Sequence, residues 1–363
     1  MLRVGVIGTS WWADRAHIPG LKTIPGVEIE AISGRNPERL KIIADKYEIP
    51  GRYTDYHDLL KSDKIQAVCI VTPNYLHYPI TMEALSRRKH VLCEKPLAVS
   101  FYQAKEMYDK VKEVGVRHMV PFTWRFVPAA MRMKELIDEG YIGRVYHIEA
   151  RYLAGWLSNP DIPASQRTQK KIAGTGALSD TGSHLIDFIR WTAGDFKAVV
   201  ADMAIFIGER KEEMTGKMVK VDIDDSTIFM AKLTNEAQAV IHVSRVAKTR
   251  ENYINVEISG EDGTLIFELE VEGEDWAIGK LYGSQKDDVK PQPLPIPERL
   301  LKNYEEAKSN LTGRFLFAKI MQAFKEGIES GREPVPNFYD GMKVQEVMQA
   351  IEDSSVKRKW IEL

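Results

Sequence analysis

Short apolar runs alternate with helix-like stretches along the first third of the chain, and this alternation constrains the fold more than any other feature. Nearly continuous apolar runs are typical of strands in a parallel sheet that is covered on both faces. The pattern predicts strands at Leu2–Ile7, Val27–Ile32, Tyr53–Thr54, Ala67–Val71, His90–Cys93 and Arg117–Val120. Apolar residues at helical spacing predict helices at Pro37–Tyr47, Pro79–Arg88 and Ser100–Val114. Strands and helices in alternation predict a doubly wound α/β fold with right-handed crossovers.

The pattern changes after about Pro121, where helices and then a series of alternating strands follow. Helices are predicted at Ala129–Glu139, Ala177–Thr192, Phe315–Ile328 and Tyr339–Ser354. Strands are predicted at Asp225–Leu233, Ala237–Val246, Tyr253–Ser259 and Leu265–Val271. Alternation with apolar residues on one face favours a large, mostly antiparallel open sheet in an α+β domain. A chain of 363 residues is long enough for two domains, which we expect at residues 1–121 and 122–363.

Composition excludes several classes of protein. The 50 basic and 52 acidic side chains leave a net charge of -2, with no basic excess for nucleic acid or an anionic membrane. No apolar run is long enough to span a membrane, and the N-terminus resembles a strand rather than a signal peptide. The two cysteines, Cys69 and Cys93, lie in apolar strand-like runs, which favours a reducing, cytoplasmic location. No cluster of metal ligands is expected.

The turn after the first strand reads Gly8-Thr9-Ser10-Trp11-Trp12-Ala13. In a dinucleotide-binding fold this turn faces the pyrophosphate, where glycines allow close approach and the helix N-terminus offers N–H groups. Gly8 and Ala13 match the first and third positions of the glycine fingerprint, whereas Ser10 replaces the second glycine. An ordinary tight turn between a strand and a helix is the alternative interpretation.

The second strand ends in Ser33-Gly34-Arg35, where an NAD-binding fold often carries an acidic residue for the ribose hydroxyls. A carboxylate there would repel a 2′-phosphate, whereas Ser33 and Arg35 are suited to binding one. The sequence therefore favours NADP(H), with NAD(H) as the alternative. Arg35 as a solvated loop arginine is the structural alternative.

Three further motifs carry a resemblance to a known family. Thr72-Pro73-Asn74, followed by His77, closes the third long strand, and Glu94-Lys95-Pro96 closes the next. A glycine-rich segment runs from Gly174 to His184 and includes Asp180. In this order, after the glycine turn, these motifs resemble the glucose–fructose oxidoreductase/inositol dehydrogenase (Gfo/Idh/MocA) family over nearly the whole chain. Ser10 and Thr175 depart from the family pattern.

The resemblance implies a Rossmann domain for the dinucleotide, followed by an α+β domain for substrate and oligomerisation. It implies hydride transfer between a nicotinamide and a sugar, cyclitol or related polyol or keto compound. Lys95, Asp180 and His184 match the catalytic lysine, carboxylate and histidine of the family. Predicted cofactor contacts are Gly8, Thr9, Ser10, Trp11, Trp12, Ser33, Arg35, Thr72, Pro73, Asn74, His77, Glu94, Lys95, Pro96 and Arg125. Predicted substrate contacts are Lys95, Trp156, Arg167, Asp180 and His184.

The chemistry of this set also follows from the residue types. A histidine has a pKa suited to accepting a hydroxyl proton near neutrality, and a lysine stabilises a developing alkoxide. Asp180 and His184 are four residues apart and therefore share one face of a helix. The structural alternatives are a solvated ion pair for Asp180 and His184 and a surface lysine for Lys95. For Arg125, a structural role competes with a cofactor or substrate contact.

The sequence leaves two other functions open. One is a noncatalytic dinucleotide-binding regulator, and the other is an NAD-dependent glycosidase of the same fold. The strands at Asp225–Leu233 and Ala237–Val246 carry apolar residues on both faces, among them Ile228, Met230 and Val240. Because an exposed apolar sheet face needs a cover, we expect a homodimer or homotetramer joined through the second sheet.

Overall fold

The computed structural model describes residues 1–363, with the side chain of Gln166 left out of the description. Its strands, numbered along the chain, are β1 Leu2–Ile7, β2 Val27–Ser33, β3 Gly51–Tyr53, β4 Ala67–Ile70, β5 His90–Cys93, β6 His118–Met119, β7 Val145–Leu153, β8 Phe196–Ala204, β9 Glu209–Lys211, β10 Met218–Lys220, β11 Ser226–Leu233, β12 Gln238–Ser244, β13 Tyr253–Gly260, β14 Gly263–Leu269, β15 Lys280–Gln285, β16 Gln292–Pro293 and β17 Ile361–Glu362.

Helices occupy the segments between these strands and the last sixth of the chain. The α-helices are α1 Ile18–Lys22, α2 Pro37–Lys46, α3 Tyr56–Leu60, α4 His77–Ser86, α5 Phe101–Val114, α6 Pro128–Asp138, α7 Lys170–Ala173, α8 Ser183–Ala193, α9 Tyr304–Ala307, α10 Ala318–Ser330 and α11 Phe338–Lys357. Three segments with the wider π-helical turn precede α1, α8 and α10, at Ala13–His17, Leu178–Gly182 and Leu311–Phe317.

The first unit of the chain contains the parallel sheet. Its six strands lie in the order β3-β2-β1-β4-β5-β6, with β1 paired to β2 on one side and β4 on the other. The buried residues of β1 and β4, such as Val6 and Cys69, lie side by side in register. This order is that of the dinucleotide-binding doubly wound fold, in which ligands bind at the carboxyl ends of the central strands. The predicted Rossmann architecture is confirmed.

The first unit comprises Met1–Thr123 together with Asn303–Lys343, a composition that differs from the expected division at residues 121 and 122. The later segment packs on the first because it carries a large aromatic side chain into that core. Phe317 lies edge-on to Trp12, with ring centroids 5.4 Å apart, and 4.7 Å from His17. The expectation that residues 122–363 form one continuous domain does not describe this segment.

The second unit comprises Trp124–Lys302 and Val344–Leu363. Its nine-stranded sheet has the order β16-β15-β14-β13-β7-β12-β11-β8-β17. The β12–β7 pair is parallel and the other pairs are antiparallel, which confirms the predicted mostly antiparallel sheet. The predicted helix at Ala177–Thr192 is divided between the π-helical turn and α8. Along the chain as the structure describes it, no helix is both long and apolar enough to cross a membrane.

Candidate active site

The glycine turn after β1 is tied to the neighbouring strands. The N–H of Gly8 donates to the carbonyl of Ser33 at 2.8 Å, at the end of β2. Gly8 has φ +125°, and a Cβ there would lie 2.2 Å from the carbonyl oxygen of Val71. Only glycine fits this position, because any side chain there would collide with the backbone of Val71. The hydroxyl of Ser10 accepts from the N–H of Ala13 at 3.2 Å, so Ser10 closes the turn internally.

The two tryptophans of the turn have different environments. Trp11 is 60% exposed, with the Arg15 guanidinium 5.4 Å from its ring centroid. Trp12 is half-buried, and its indole Nε1 donates to Oε1 of Glu94 at 2.8 Å. Trp12 therefore anchors the turn to the end of β5, whereas most of the Trp11 side chain lies on the surface.

Glu94 is the buried centre of the Glu94-Lys95-Pro96 motif. Its Oε1 lies 2.7 Å from Nε2 of His17, and its Oε2 accepts from the N–H of Lys95 at 3.1 Å. Burial opposes ionisation of Glu94, but the His17 contact, Lys95 and Trp12 hold the pKa of this carboxyl below its usual range. Glu94 thus orients the turn that carries Lys95. His17, which the sequence did not single out as functional, completes this arrangement.

His77 joins the ends of β4 and β5. Its Nδ1 lies 2.8 Å from the carbonyl oxygen of Pro96, and its Nε2 lies 2.9 Å from that of Thr72. The ring is fully buried, and burial lowers the pKa of His77 although both carbonyl contacts act in the opposite direction. His77 therefore fixes the backbone of two motifs, while Thr72, Pro73 and Asn74 remain half-buried.

The end of β2 carries the residues predicted to select the dinucleotide. Ser33 is 3% exposed, whereas Arg35 lies on the surface. Gly34 is held by a hydrogen bond from its N–H to the carbonyl of Tyr53 at 3.0 Å. A Cβ on Gly34 would lie 2.4 Å from Cγ2 and 2.6 Å from Oγ1 of Thr9. Thr9 thus fills the space in which an acidic side chain at position 34 would begin.

Asp180 and His184 lie in the second unit, at the junction of the π-helical turn and α8. The π-helical turn is wider than an α-helical one, so a spacing of four residues keeps both side chains near one face. His184 is 6% exposed, and its ring centroid lies 5.6 Å from that of Trp124 and 6.2 Å from that of Tyr152. Oδ2 of Asp180 accepts a hydrogen bond from Nη1 of Arg245 at 3.0 Å. A buried histidine among aromatic rings, four residues from a carboxylate along the helix, is suited to acid–base chemistry on a bound hydroxyl.

Tyr152 and Arg167 belong to the same surroundings. Tyr152 lies in β7 rather than on a loop, and its hydroxyl donates to Oδ1 of Asn252 at 2.8 Å. Burial raises the pKa of the Tyr152 phenol, and the charge of Asp180 raises it further, whereas the charge of Arg167 lowers it. These effects show that Asp180, Tyr152 and Arg167 share one electrostatic environment. Trp156 is half-buried in the loop after β7.

Arg125 is engaged within the second unit. Its Nε and Nη2 donate to the two carboxylate oxygens of Asp187, at 2.7 and 2.5 Å, and both side chains are buried. Its guanidinium also lies 5.7 Å from the ring centroid of Trp191. This geometry favours the structural role that the sequence had left open. Within the described residues, no group of three or more His, Cys, Asp or Glu side chains could hold a metal ion.

Comparison with known proteins places the chain in a family. A model described as "Oxidoreductase family, NAD-binding Rossmann fold" matches residues 2–122, and the Gfo/Idh/MocA C-terminal domain model matches residues 130–266. A levoglucosan dehydrogenase from Pseudarthrobacter phenanthrenivorans is 32% identical, covering 100% of this chain and 98% of that protein. A D-xylose 1-dehydrogenase (NADP(+)) from Haloarcula marismortui is 29% identical over 52% of this chain and 54% of that protein.

A solved structure of levoglucosan dehydrogenase in complex with NADH and levoglucosan is also similar. Its TM-score is 0.87 at 31% identity, covering 99% of each chain. The N-terminal fold and the C-terminal sheet agree with these matches, and the resemblance found in the sequence is confirmed. The chain is a dehydrogenase of the Gfo/Idh/MocA oxidoreductase family, whose first domain is an NAD-binding Rossmann fold.

Proposed function

We propose that the protein transfers hydride between a nicotinamide dinucleotide and a secondary hydroxyl, or the corresponding ketone, of a sugar or related polyol. The observation that carries this proposal is the buried His184, flanked by Trp124 and Tyr152, on the same helix face as Asp180. Aromatic rings suit the apolar faces of a sugar ring, and the acid–base pair suits its hydroxyls. The sugar substrates named for the relatives agree with this class.

His184, Asp180 and Lys95 have separate roles in this reaction. His184 accepts the hydroxyl proton during oxidation, and Asp180 orients and electrostatically supports it. Lys95, at the end of β5, supplies a positive charge that stabilises a developing alkoxide. The bound dinucleotide supplies or accepts the hydride. The glycine turn at Gly8 and the exposed ring of Trp11 lie at the carboxyl edge of the parallel sheet, where such a dinucleotide binds in this fold.

We propose a preference for NADP(H) over NAD(H), carried by Arg35. Ser33 is too deeply buried to be the principal contact, whereas Arg35 is exposed beside it. Thr9 excludes an acidic side chain at position 34, which removes the group that would repel a 2′-phosphate. A guanidinium–phosphate contact contributes about 1.5–3 kcal/mol, or about ten- to a hundredfold in affinity. The NADH in the related complex makes NAD(H) the competing cofactor.

Arg35→Ala tests the cofactor proposal. The variant should lose about ten- to a hundredfold in kcat/KM with NADP(H) and keep its kcat/KM with NAD(H). Arg332→Ala, which removes another exposed arginine of the first unit, is the matched control and should change neither value. Equal or better turnover of the unmodified protein with NAD(H) would contradict the preference.

A panel of substrates tests the reaction itself. The purified protein is assayed with both dinucleotides against levoglucosan, D-glucose, D-xylose, alkyl glucosides, inositols and keto sugars, and formation or loss of the reduced nicotinamide is followed by its absorbance. Steady NAD(P)H formation with a sugar or polyol supports the proposal. Dinucleotide binding without turnover would indicate a regulator. Release of a free sugar from a glycoside, without net NAD(P)H formation, would indicate the glycosidase.

We also propose that the second unit provides substrate contacts and a surface for self-association. Ile228, Met230 and Val240 are 51, 49 and 49% exposed on one face of β11 and β12. Their neighbours Phe229 and Ile241 face the core, so Ile228, Met230 and Val240 are exposed apolar side chains that do not contribute to the core of this chain. A homodimer or homotetramer that covers this face explains its composition. The two buried cysteines agree with a cytoplasmic setting.

A further inference from the structure

A fully buried arginine lies behind the candidate acid–base pair. Arg245 is 0% exposed and directly follows β12, at the end where β12 pairs with the beginning of β11. Its backbone N–H donates to the carbonyl of Asp225 at 2.9 Å, which fixes where its side chain leaves the sheet. Burying a guanidinium costs free energy unless it is paired and hydrogen-bonded, so its hydrogen-bond partners indicate its role.

The guanidinium of Arg245 reaches three separate segments of the second unit. Its Nη1 donates to Oδ2 of Asp180 at 3.0 Å and to the carbonyl of Arg167 at 2.9 Å. Its Nη2 donates to the carbonyl of Asp224 at 2.9 Å. One planar group therefore holds the Asp180 carboxylate at a fixed position relative to the β11 entrance and to the loop that carries Arg167.

Asp224 extends this arrangement to the turn that precedes Asp180. Its carboxylate accepts from the backbone N–H groups of Gly176 and Leu178, at 2.5 and 2.9 Å. A Cβ on Gly176 would lie 1.8 Å from the Asp224 carbonyl oxygen and 2.6 Å from Nη2 of Arg245. The glycine at position 176 is thus required by the approach of Arg245 and Asp224. The hydrogen bonds to Asp224 and the close approach of Arg245 to Gly176 therefore fix the beginning of the π-helical turn.

We propose that Arg245 is a positioning residue for hydride-transfer catalysis: through its hydrogen bond to Asp180 it orients the Asp180–His184 pair without touching the substrate. This inference rests on the proposed function. Asp180 is partly exposed, with 15% of its side chain accessible, whereas Arg245 is enclosed. The electrostatic influence of Asp180 reaches Tyr152, whose ring lies against His184, so a displaced Asp180 carboxylate changes the surroundings of His184.

Arg245→Lys retains the positive charge, but a lysine cannot reproduce the planar set of hydrogen bonds to Asp180, Arg167 and Asp224. It should lower kcat at least about tenfold, while the Kd of the dinucleotide changes less than about twofold, because the dinucleotide turn lies in the other unit. In an Asp180→Asn background the same substitution should have almost no further effect on kcat, since the link through Asp180 is already lost. Independent, multiplicative effects of the two substitutions would overturn the inference.

Arg210→Lys is the matched control for loss of a buried arginine. Arg210 is also 0% exposed in the second unit, but its guanidinium donates only to backbone carbonyls, those of Leu157, Asn159 and Ile162. Both variants should lower Tm. Only Arg245→Lys should also shift the pH–rate profile, because only Arg245 contacts an ionisable member of the pair. An Arg245→Lys variant with lowered Tm but unchanged kcat and pH profile overturns the inference.

Asp180→Asn tests the pair from the other side if Arg245→Lys fails to fold. Loss of the carboxylate leaves the Arg245 charge uncompensated, so Tm should fall, whereas replacing an unengaged catalytic carboxylate commonly leaves Tm unchanged or raises it. An unchanged or raised Tm overturns the inference. Wild-type protein with no dehydrogenase activity overturns the proposed function and this inference together. Active wild type with an unaffected Arg245→Lys variant overturns the inference alone.

Discussion

Nε and Nη2 of Arg125 each donate to a different carboxylate oxygen of Asp187, at 2.7 and 2.5 Å, and the two side chains are 6 and 1% exposed. Removing one partner of a buried pair leaves an uncompensated charge. Asp187→Asn should therefore lower the free energy of unfolding by about 3–5 kcal/mol, measured by urea denaturation. The exposed pair Arg358–Asp202 provides the control, because Asp202→Asn should cost less than about 1 kcal/mol. Similar losses in both variants would contradict the prediction.

The strands of the parallel sheet were predictable because they are short, apolar and closed by glycine or polar turns. β7 was missed, although it is central in the second sheet. Its buried residues Ile148, Ala150 and Tyr152 alternate with the surface residues Glu149 and Arg151, because one face of this sheet is not covered by the chain's own helices. Because β7 contains charged residues, it has no continuous apolar run from which a central strand could be predicted.

In the candidate site too, features set by local spacing could be predicted from the sequence, whereas contacts between distant segments could not. The spacing of Asp180 and His184 could be interpreted from the sequence, because both lie within one helical turn. The contact between Arg245 and Asp180 joins residues 65 positions apart and depends on the register of β11 with β12. No local pattern marks such a contact. The return of Asn303–Lys343 to the first unit depends in the same way on tertiary packing around Phe317.

His118 should make the protein acid-sensitive. Burial, aided by Arg117 and opposed by Asp340, lowers the pKa of His118 to about 4, against about 6.5 in the unfolded chain. The Glu333 carboxylate, 3.2 Å from Nε2, favours the protonated ring, but it is half exposed and screened by solvent, so burial dominates. Its Nδ1 accepts from the N–H of Phe338 at 3.0 Å, a bond that protonation at Nδ1 would break. Because the unfolded chain binds the proton more tightly, the stabilisation is present above pH 6.5 and declines as the pH falls towards 4.

His118→Asn retains an acceptor for Phe338 but does not titrate. Between pH 7 and pH 5 the wild type should lose about 2 kcal/mol more of its unfolding free energy than this variant. Urea denaturation at both pH values measures the difference. A parallel decline of the two proteins would show that His118 is not the group responsible.

Substitutions of Lys95 and His184 should change different kinetic quantities, the magnitude of kcat for Lys95 and the pH dependence of the rate for His184. Lys95→Met removes a charge that acts mainly on the transition state, so kcat should fall about 10²-fold or more, with a much smaller change in the dinucleotide Kd. His184→Ala should abolish the limb of the pH–rate profile that reports the base. Lys105→Met, which removes an exposed lysine paired with Asp109, should leave kcat unchanged. Wild-type kcat and pH dependence in His184→Ala would exclude it as the acid–base group.

The exposed apolar face of β11 and β12 should be an interface between copies of the chain. Met230 and Val240 lie opposite each other in the register and are both 49% exposed. The protein should scatter light as a multiple of 41.3 kDa at micromolar concentration, and Met230→Glu should shift it towards the single chain. Ile42→Glu places the same charge on an exposed apolar residue of α2 and should leave the mass unchanged. A wild type found only at 41.3 kDa would refute self-association.

The contact between Thr9 and position 34 should make a change of cofactor preference depend on two residues. Gly34→Asp alone introduces a Cβ only 2.4 Å from Cγ2 of Thr9, so Thr9 must move and the turn that binds the dinucleotide is disturbed. This variant should lose kcat/KM with both dinucleotides.

Thr9→Gly combined with Gly34→Asp and Arg35→Ala removes the obstruction, adds an acceptor for the ribose hydroxyls and removes the phosphate contact. The NADP(H)/NAD(H) ratio of kcat/KM should then fall from at least about ten to about one tenth or less. Thr9→Gly alone should preserve the preference, because it leaves Arg35 in place. If Gly34→Asp with Arg35→Ala reversed the preference as fully without the change at Thr9, the two positions would be independent, and steric exclusion by Thr9 would not be what keeps an acidic residue from position 34.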